Sequence, residues 1–306
     1  MPAPPSATVS VIVPVKDGAR HLPALLAALA RQPAHELLIV DSGSRDGSVA
    51  LARAAGATVL EIPPASFRHG PTRNWAAERT GGELLCFLTQ DAVPVDGWLA
   101  AIVDAFAADP RIGALFGPQL PRPDSSPMVA RELETFFAAF SPDGTTTVDD
   151  QPRFLSNVNA AYRRACWEQL RFRDLAYAED QAFARDLGPS AWRAAYVPAA
   201  AVVHAHDYGP VDFARRTFDE YRGLRAATGH REPFRPKAAL GGALRLTRAD
   251  RAWMRAHGWP RGRRAWWTGR ALLHHGSRRV FAALGSRAER LPAPVRRALS
   301  LERRGD

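Results

Sequence analysis

The sequence predicts an α/β chain: a doubly wound, mostly parallel sheet followed by a basic helical extension. Three observations predict it. Short, β-branched apolar runs alternate with helix-length segments over residues 8–118. Several of those runs end on an acid, as in VIVPVKD, ELLIVD and LLCFLTQD. Charge divides the chain: residues 231–306 hold 19 Arg/Lys against 5 Asp/Glu, a net +14, whereas the first 230 hold 22 against 26, a net −4. Two tasks are implied, one for each part.

The elements follow in order. TVSVIVPV, 8–15, is short, apolar and β-branched, so it reads as a buried strand that breaks at Asp17-Gly18. Leu22, Leu25, Leu26 and Leu29 then recur at helical spacing. ELLIVD, 36–41, is a second strand; Ser44 or Asp46 is positioned to cap a helix running to about Ala55. Gly56 stops that helix, and ATVLEI is a third strand. RTGGELLCFLTQD reads as a turn and another buried strand, and DGWLAAIVDAFAAD as a helix. Beyond residue 120 the pattern loosens. A Pro-rich stretch leads to a helix, FLSNVNAAYRR reads as strand or loop, and AEDQAFARDL begins a helix. AWRAAYVPAAAVVHAH holds two short strands, and VDFARRTFDEYRGLRAA is a helix. Ligands of such sheets sit beyond the carboxyl ends of the strands. Here those ends carry Pro14 to Asp17, Asp41 to Ser44, and Thr89-Gln90-Asp91.

Composition sets outer limits. The two cysteines, Cys86 and Cys166, are far apart and lack a CxxC partner, so neither a zinc site nor a disulfide framework is expected. The segment MPAPPSATVS has no basic region followed by an apolar one and does not read as a signal peptide. No run of 18 apolar residues occurs, so no membrane-spanning helix is expected. Nucleic-acid binding, which the high sequence pI of about 10.6 raises, is not expected, because the charge is not interleaved through a recognisable nucleic-acid module.

The blocks VSVIVPVKDG, VDSGSRDGS, FRHGPTRNWAAE and FLTQDAVP and the pair Glu179-Asp180 occur in that order. Together they resemble family 2 glycosyltransferases, over roughly residues 8–225, and within them the rhamnosyltransferase branch, whose wording is similar to FxHGxTRN and LTQDAxP. The resemblance implies a GT-A, Rossmann-like fold. It further implies inverting transfer of a sugar from a nucleotide-sugar donor, L-rhamnose from dTDP-L-rhamnose, to a glycan or lipid-linked glycan acceptor at the cell surface. A UDP-sugar donor (glucosyl, galactosyl or N-acetylglucosaminyl) is the near alternative, and a transferase-like scaffold without activity the distant one. On this reading residues 1–230 are the catalytic domain, with a donor half over 8–118 and an acceptor half over 119–230; 231–306 is an Arg- and Trp-rich helical region.

Roles follow residue by residue. The resemblance gives Asp41 the nucleobase, with Pro14 and Val15 flanking the ring; a carboxylate at a strand end accepts the N3–H of uracil or thymine, although Asp41 also suits a turn before Gly43. Asp91 is expected to hold Mn²⁺ or Mg²⁺ on the diphosphate, where the metal stabilises leaving-group charge. Where the family has Asp-x-Asp, this chain has Thr89-Gln90-Asp91, so Gln90 stands near the donor as a neutral amide. His204 ends an apolar strand 24 residues after Asp180 and is the expected second metal ligand; His206 shares its face. Asp180 is the expected general base and Glu179 its acceptor-side neighbour; a helix N-terminus also favours both acids. Arg73 and Asn74 are expected to bind the donor, since a guanidinium forks onto phosphate, and Gly70 permits close backbone approach. Asn159 is expected on the acceptor side.

In the tail, a helix over 263–284 places Trp266, Leu273, Val280 and Leu284 on one face, with Arg264, Arg278 and Arg279 opposite. That is the pattern of an interfacial helix, and equally of a helix packed on the protein with its arginines in water. The first option predicts a cytoplasmic protein held peripherally on the anionic inner face of a bacterial membrane.

Overall fold

The computed structural model describes residues 7–33, 35–175 and 178–301. Residues 1–6, where the absence of a signal peptide was argued, and 302–306 of the basic tail lie outside the described residues. The fold is α/β. Its strands are β1 (Val9–Val15), β2 (Glu36–Asp41), β3 (Thr58–Glu61), β4 (Leu84–Leu88), β5 (Val93–Pro94), β6 (Ile112–Phe116), β7 (Gln119–Leu120), β8 (Thr147–Asp149), β9 (Asn159–Arg163), β10 (Arg193–Tyr196) and β11 (Val202–Val203). Its helices are α1 (Leu22–Leu29), α2 (Ser48–Ala54), α3 (His69–Ala77), α4 (Trp98–Ala108), α5 (Pro127–Ala138), α6 (Arg164–Leu170), α7 (Glu179–Leu187), α8 (Pro210–Thr228), α9 (Pro236–Ala256), α10 (Arg261–Gly285) and α11 (Ala293–Leu299).

The chain divides into two compact units. The first comprises Met1–Pro121 and Leu133–His204, the second Arg122–Glu132 and Ala205–Asp306. The helix α8, within the first 230 residues, belongs by its contacts to the second unit.

The first unit is built on a sheet of order β3-β2-β1-β4-β9-β6-β10-β8. β1, β2, β3 and β4 pair in parallel, and β9 runs antiparallel between β4 and β6. Period-2 alternation explains why the central strands are apolar throughout. Val11, Val13 and Val15 of β1 enter one apolar cluster with α1 and α4, while Ile12 enters the other with Leu85, Phe87 and Tyr162. Cys86 and Cys166 are free and buried, one in each cluster, and burial raises both thiols. IGALF, for which no strand is expected above, is β6; its Gly113 is needed because a side chain there would meet Cys166 and Trp192. A second, small sheet of order β5-β11-β7 brings the end of β11 beside the turn that follows β4.

The parallel register puts Val15 of β1 beside Asp41 of β2, so the loops after these strands meet. They are laced together: Ser44 Oγ accepts from Asp17 N at 2.8 Å, Asp17 Oδ1 from Arg45 N at 2.8 Å, and Asp46 Oδ2 from Ala19 N at 2.8 Å. Asp17 adopts a left-handed φ of 46° to allow this. The expected Ser44 or Asp46 cap of α2 is replaced by Gly47 at φ 87°, because those side chains are used in the lacing.

In the second unit α10 packs against α8 and α9. Of these, α9 lacked an expectation of its own. Among the described residues no helix is long and apolar enough to cross a membrane.

Candidate active site

All the residues expected to act on substrate lie in the first unit. Three groups of contacts organise them.

The nucleobase corner is at the end of β2. Asp41 is buried at 1% exposure. Its Oδ1 accepts the backbone N–H groups of Gly43 and Ser44, both at 2.9 Å. Its Oδ2 is buried and, among the described residues, has no hydrogen-bond partner. The two roles weighed for Asp41 are therefore divided between its oxygens: one holds the turn, and the other is the kind of orphaned acceptor that normally implies a ligand donor. The Val15 carbonyl beside it is taken by Ser42, whose N and Oγ both donate to it.

The metal corner is at the end of β4. His204 Nε2 lies 3.5 Å from Asp91 Oδ1, and both side chains are largely buried. Gln119 Oε1, on β7, sits 3.0 Å from His204 Nδ1. An amide oxygen can only accept, so Nδ1 carries a proton, and Nε2 is the ring nitrogen that faces Asp91. An oxygen and an imidazole nitrogen so oriented, with an outer amide fixing the tautomer, suit a divalent ion. Gln119 has no expectation above, since nothing in its local sequence marks it as the partner of His204.

Gln90 does different work from the acid it replaces. Its Oε1 accepts Lys16 N at 2.9 Å and its Nε2 donates to Lys16 O at 3.1 Å. Both ends of the amide thus clamp the β4 terminus to the β1 terminus. Gly18 accommodates the clamp; a Cβ there would stand 2.8 Å from Gln90 Oε1.

The acid corner opens α7. Ala178, the preceding residue, has a left-handed φ of 62°. Asp180 Oδ2 accepts Asn157 N at 2.9 Å, and Asn157 Nδ2 donates to Glu179 Oε1 at 3.0 Å. Tyr162 Oη donates to Asn157 Oδ1 at 2.9 Å. Arg73 pairs with Glu179 at 2.8 Å, both side chains being buried. Burial and then the Glu179 carboxylate push Asp180 up to about 7, against the opposing effects of Asn157 N–H and Arg73. Burial also works against charge on Glu179, but Arg73, His69 and Asn157 outweigh it and hold that carboxyl below its ordinary value. Two adjacent acids are thereby driven apart, which suits one of them to proton transfer near neutrality. Gln119 Nε2 donates to Ser156 Oγ at 3.3 Å, and Ser156 precedes Asn157, so the metal and acid corners share one chain of contacts.

Three expected contacts are redirected. Arg73 was expected to fork onto phosphate, but in this structure its guanidinium is engaged by Glu179 and the His69 carbonyl. Asn74 serves as a staple: Nδ2 donates to Phe172 O, and Oδ1 accepts Phe172 N and Trp167 Nε1. Gly70, on the same helix, is needed because a Cβ there would collide with the Arg173 carbonyl. Asn159 is 1% exposed. Its Oδ1 accepts Trp98 Nε1 and its Nδ2 donates to Ala200 O, so it closes the strand interior, and Asn157, two residues earlier, meets the acids instead.

Comparison with known proteins shows the family and the fold. Residues 10–171 match the family described as "Glycosyl transferase family 2". The chain is 31% identical over 226 residues to the O-antigen chain rhamnosyltransferase RfbN of Salmonella typhimurium, covering 69% of this chain and 70% of that one. It is 31% identical over 191 residues to the O-antigen chain rhamnosyltransferase WbaN of Salmonella anatum, covering 60% and 61%. Among solved structures it is similar to the mannosyltransferase PcManGT from Pyrobaculum calidifontis in complex with GDP-Man and Mn²⁺. There the TM-score is 0.62 at 21% identity, over 93% of this chain and 88% of that one, a likeness of fold.

Proposed function

Since the chain belongs to glycosyl transferase family 2 and is a GT-A glycosyltransferase, we propose that it transfers L-rhamnose from dTDP-L-rhamnose, with inversion, to a growing cell-surface glycan carried on a lipid. The observation that carries the chemistry is the acid pair, in which Asp180, held by Asn157 N, is pushed up to about 7 by burial and the adjacent Glu179, while Arg73 holds Glu179 below its ordinary value. The likeness to two O-antigen rhamnosyltransferases supports the donor and the acceptor class.

Asp180 takes the proton of the acceptor hydroxyl as its oxygen bonds to the anomeric carbon from the face opposite the diphosphate. The bond from that carbon to the diphosphate oxygen breaks, dTDP leaves, and the configuration inverts. General-base assistance of this kind contributes about 10²–10⁴-fold. Asp41 Oδ2 accepts the thymine N3–H. Asp91 and His204 would hold a divalent ion, Mn²⁺ or Mg²⁺, which when bound neutralises charge on the departing diphosphate. Glu179, Asn157 and Arg73 keep Asp180 in place and set its basicity. Gln90 keeps the β1 and β4 ends in register under the donor.

A membrane surface is the proposed setting. Trp266, Leu273 and Val280 of α10 are 58%, 54% and 42% exposed. Arg278 and Arg279 turn the other way, onto Glu132 at 2.8 Å and Glu232 at 3.3 Å. The apolar stripe is therefore the solvent-facing side of this helix, as an interfacial helix requires, and a lipid-carried acceptor would make such contact useful.

The deciding experiment is release of nucleoside diphosphate from a donor panel: dTDP-L-rhamnose, UDP-glucose, UDP-galactose, UDP-N-acetylglucosamine and GDP-mannose. Turnover should be highest with dTDP-L-rhamnose. Preference for a UDP-sugar would move the donor assignment, because Asp41 serves uracil as well as thymine. No release from any donor, with or without acceptor, would remove the enzymatic reading.

A further inference from the structure

The second unit contains a cluster of imidazoles and carboxylates that the transfer reaction does not use. Its members are Glu132 on α5, Asp250 on α9, and the adjacent His274 and His275 on α10. The side chains of Asp250 and His275 are completely buried, and that of His274 is 10% exposed.

The hydrogen bonds fix how the rings are oriented. Arg131 Nε donates to Asp250 Oδ1, so Asp250 is a paired acceptor. Its Oδ2 lies 2.6 Å from His275 Nε2, and the proton of that ring therefore sits on Nε2. In the neutral ring Nδ1 keeps its lone pair, and it has no hydrogen-bond partner among the described residues. It faces Glu132 Oε1 at 3.6 Å. His274 Nε2 is likewise buried without a hydrogen-bond partner and stands 3.7 Å from the same oxygen. The His274 ring is held there by stacking on Phe213, with centroids 3.7 Å apart. Glu132 Oε2 is occupied by Arg278 at 2.8 Å, which directs Oε1 at the two rings.

Distances of 3.6 and 3.7 Å are too long for a hydrogen bond. Ligand atoms around a tetrahedral zinc ion, with bonds of 2.0–2.2 Å, stand about 3.3–3.6 Å apart. The three candidate ligand atoms all lie within 4.8 Å of one another. A lone pair directed at a carboxylate oxygen in a dry interior is unfavourable unless positive charge lies between them. The Asp250–His275 contact is the carboxylate–histidine arrangement that orients metal-ligating imidazoles. His274 also borders a cavity of about 230 Å³ that Asp124, His206 and Asp207 line, a polar approach for an ion and its water.

We propose that Glu132 Oε1, His274 Nε2 and His275 Nδ1 bind a divalent transition-metal ion of the zinc class, at a site separate from Asp91 and His204. Two imidazoles and one carboxylate are a borderline-soft donor set that favours Zn²⁺ over Mg²⁺. Its position joins the middle of α5, at Glu132, to α10, so the ion staples helices of the second unit and takes no part in glycosyl transfer.

The test uses the full chain carrying Asp91→Asn and His204→Ala, which removes the other metal corner. The protein is stripped with chelator, then titrated with Zn²⁺ and with Co²⁺ as a spectroscopic probe. One equivalent of Zn²⁺ should bind, Co²⁺ should give visible d–d absorption, and Zn²⁺ should raise Tm. At a free concentration of about 100 times Kd, the folding equilibrium should shift about 100-fold. Glu132→Gln and His274→Gln should each weaken binding by more than the about 10–100-fold that loss of an outer-shell partner costs. Circular dichroism checks that each variant folds, and the Asp91→Asn, His204→Ala chain by itself already decides whether an ion binds. Absence of Zn²⁺ binding in that chain, or binding that both ligand variants leave unchanged, overturns the proposal.

Discussion

Glu179→Gln is the most informative perturbation of the acid pair. Asp180 is raised to about 7, first by burial and next by the Glu179 carboxylate. Removing that carboxylate leaves the burial in place but deletes the like charge, and it also frees the Arg73 guanidinium to act on Asp180. Both changes favour ionised Asp180, so its titration must move to lower pH. The size of the effect follows from the titration curve. With a pKa of about 7, about one-tenth of Asp180 is ionised at pH 6, and a fall of about one unit makes that about one-half. Transfer limited by the base should therefore be about five-fold faster in the variant than in wild type at pH 6, once each is normalised to its own rate at pH 8, where nearly all of Asp180 is ionised in either protein. The assay is kcat/KM against pH from 5 to 9 for both proteins, with Tm followed alongside, because breaking a buried ion pair costs about 3–5 kcal/mol. A rising limb that stays in place, or moves to higher pH, in a folded variant would refute the assignment of the base to Asp180.

Four other outcomes are expected. Asp180→Asn should lower transfer by about 10²-fold or more with little change in donor affinity; its raised pKa makes Asp180 stabilising below its unfolded value of 3.8 and progressively less so as pH rises through about 7, so the Tm of the variant relative to wild type should improve from pH 5 to pH 8. Asp91→Ala should abolish metal-dependent donor binding, His204→Ala should weaken it, and Gln119→Leu, which removes the tautomer-fixing amide, should cost about 10–100-fold in metal affinity; full activity in excess chelator would overturn the metal assignment. Asp41→Asn should weaken dTDP binding measured by calorimetry by about ten-fold or more, the value of a hydrogen bond to a charged acceptor being about 1.5–3 kcal/mol; unchanged affinity would mean that the orphaned Oδ2 serves no nucleobase. Trp266→Glu with Leu273→Glu should release the protein from anionic vesicles while leaving soluble-donor hydrolysis intact, and a wild-type chain that ignores such vesicles at low salt would end the membrane reading.

The sequence by itself determined β1, β2, β3 and β4 and what stands at their ends. Runs such as VSVIVPV, ELLIVD and LLCFL are short, β-branched and apolar on both faces, so burial leaves them no other arrangement, and Asp41 and Asp91 are carried to the rim with them. The acids of α7 were legible as a helix start after a loop, but their role came from the order of blocks shared with family 2 glycosyltransferases. Tertiary structure alone decided the partners. Nothing local tells Asn157 from Asn159: one meets Glu179 and Asp180, and the other is consumed by Trp98 and Ala200, contacts made across 22 to 61 positions of the chain. Arg73 and Asn74 have the right chemistry for a diphosphate, yet Glu179 and the Phe172 backbone engage them first. Gln119 matters only because β7 and β11 pair and set it against His204. The period of α10 separated its apolar stripe from its arginines, but which stripe faces water depended on where Glu132 and Glu232 lay. A hydrogen bond or an ion pair is satisfied by whichever complementary group the fold brings within reach, and that distance is set by packing far along the chain, where no local pattern records it.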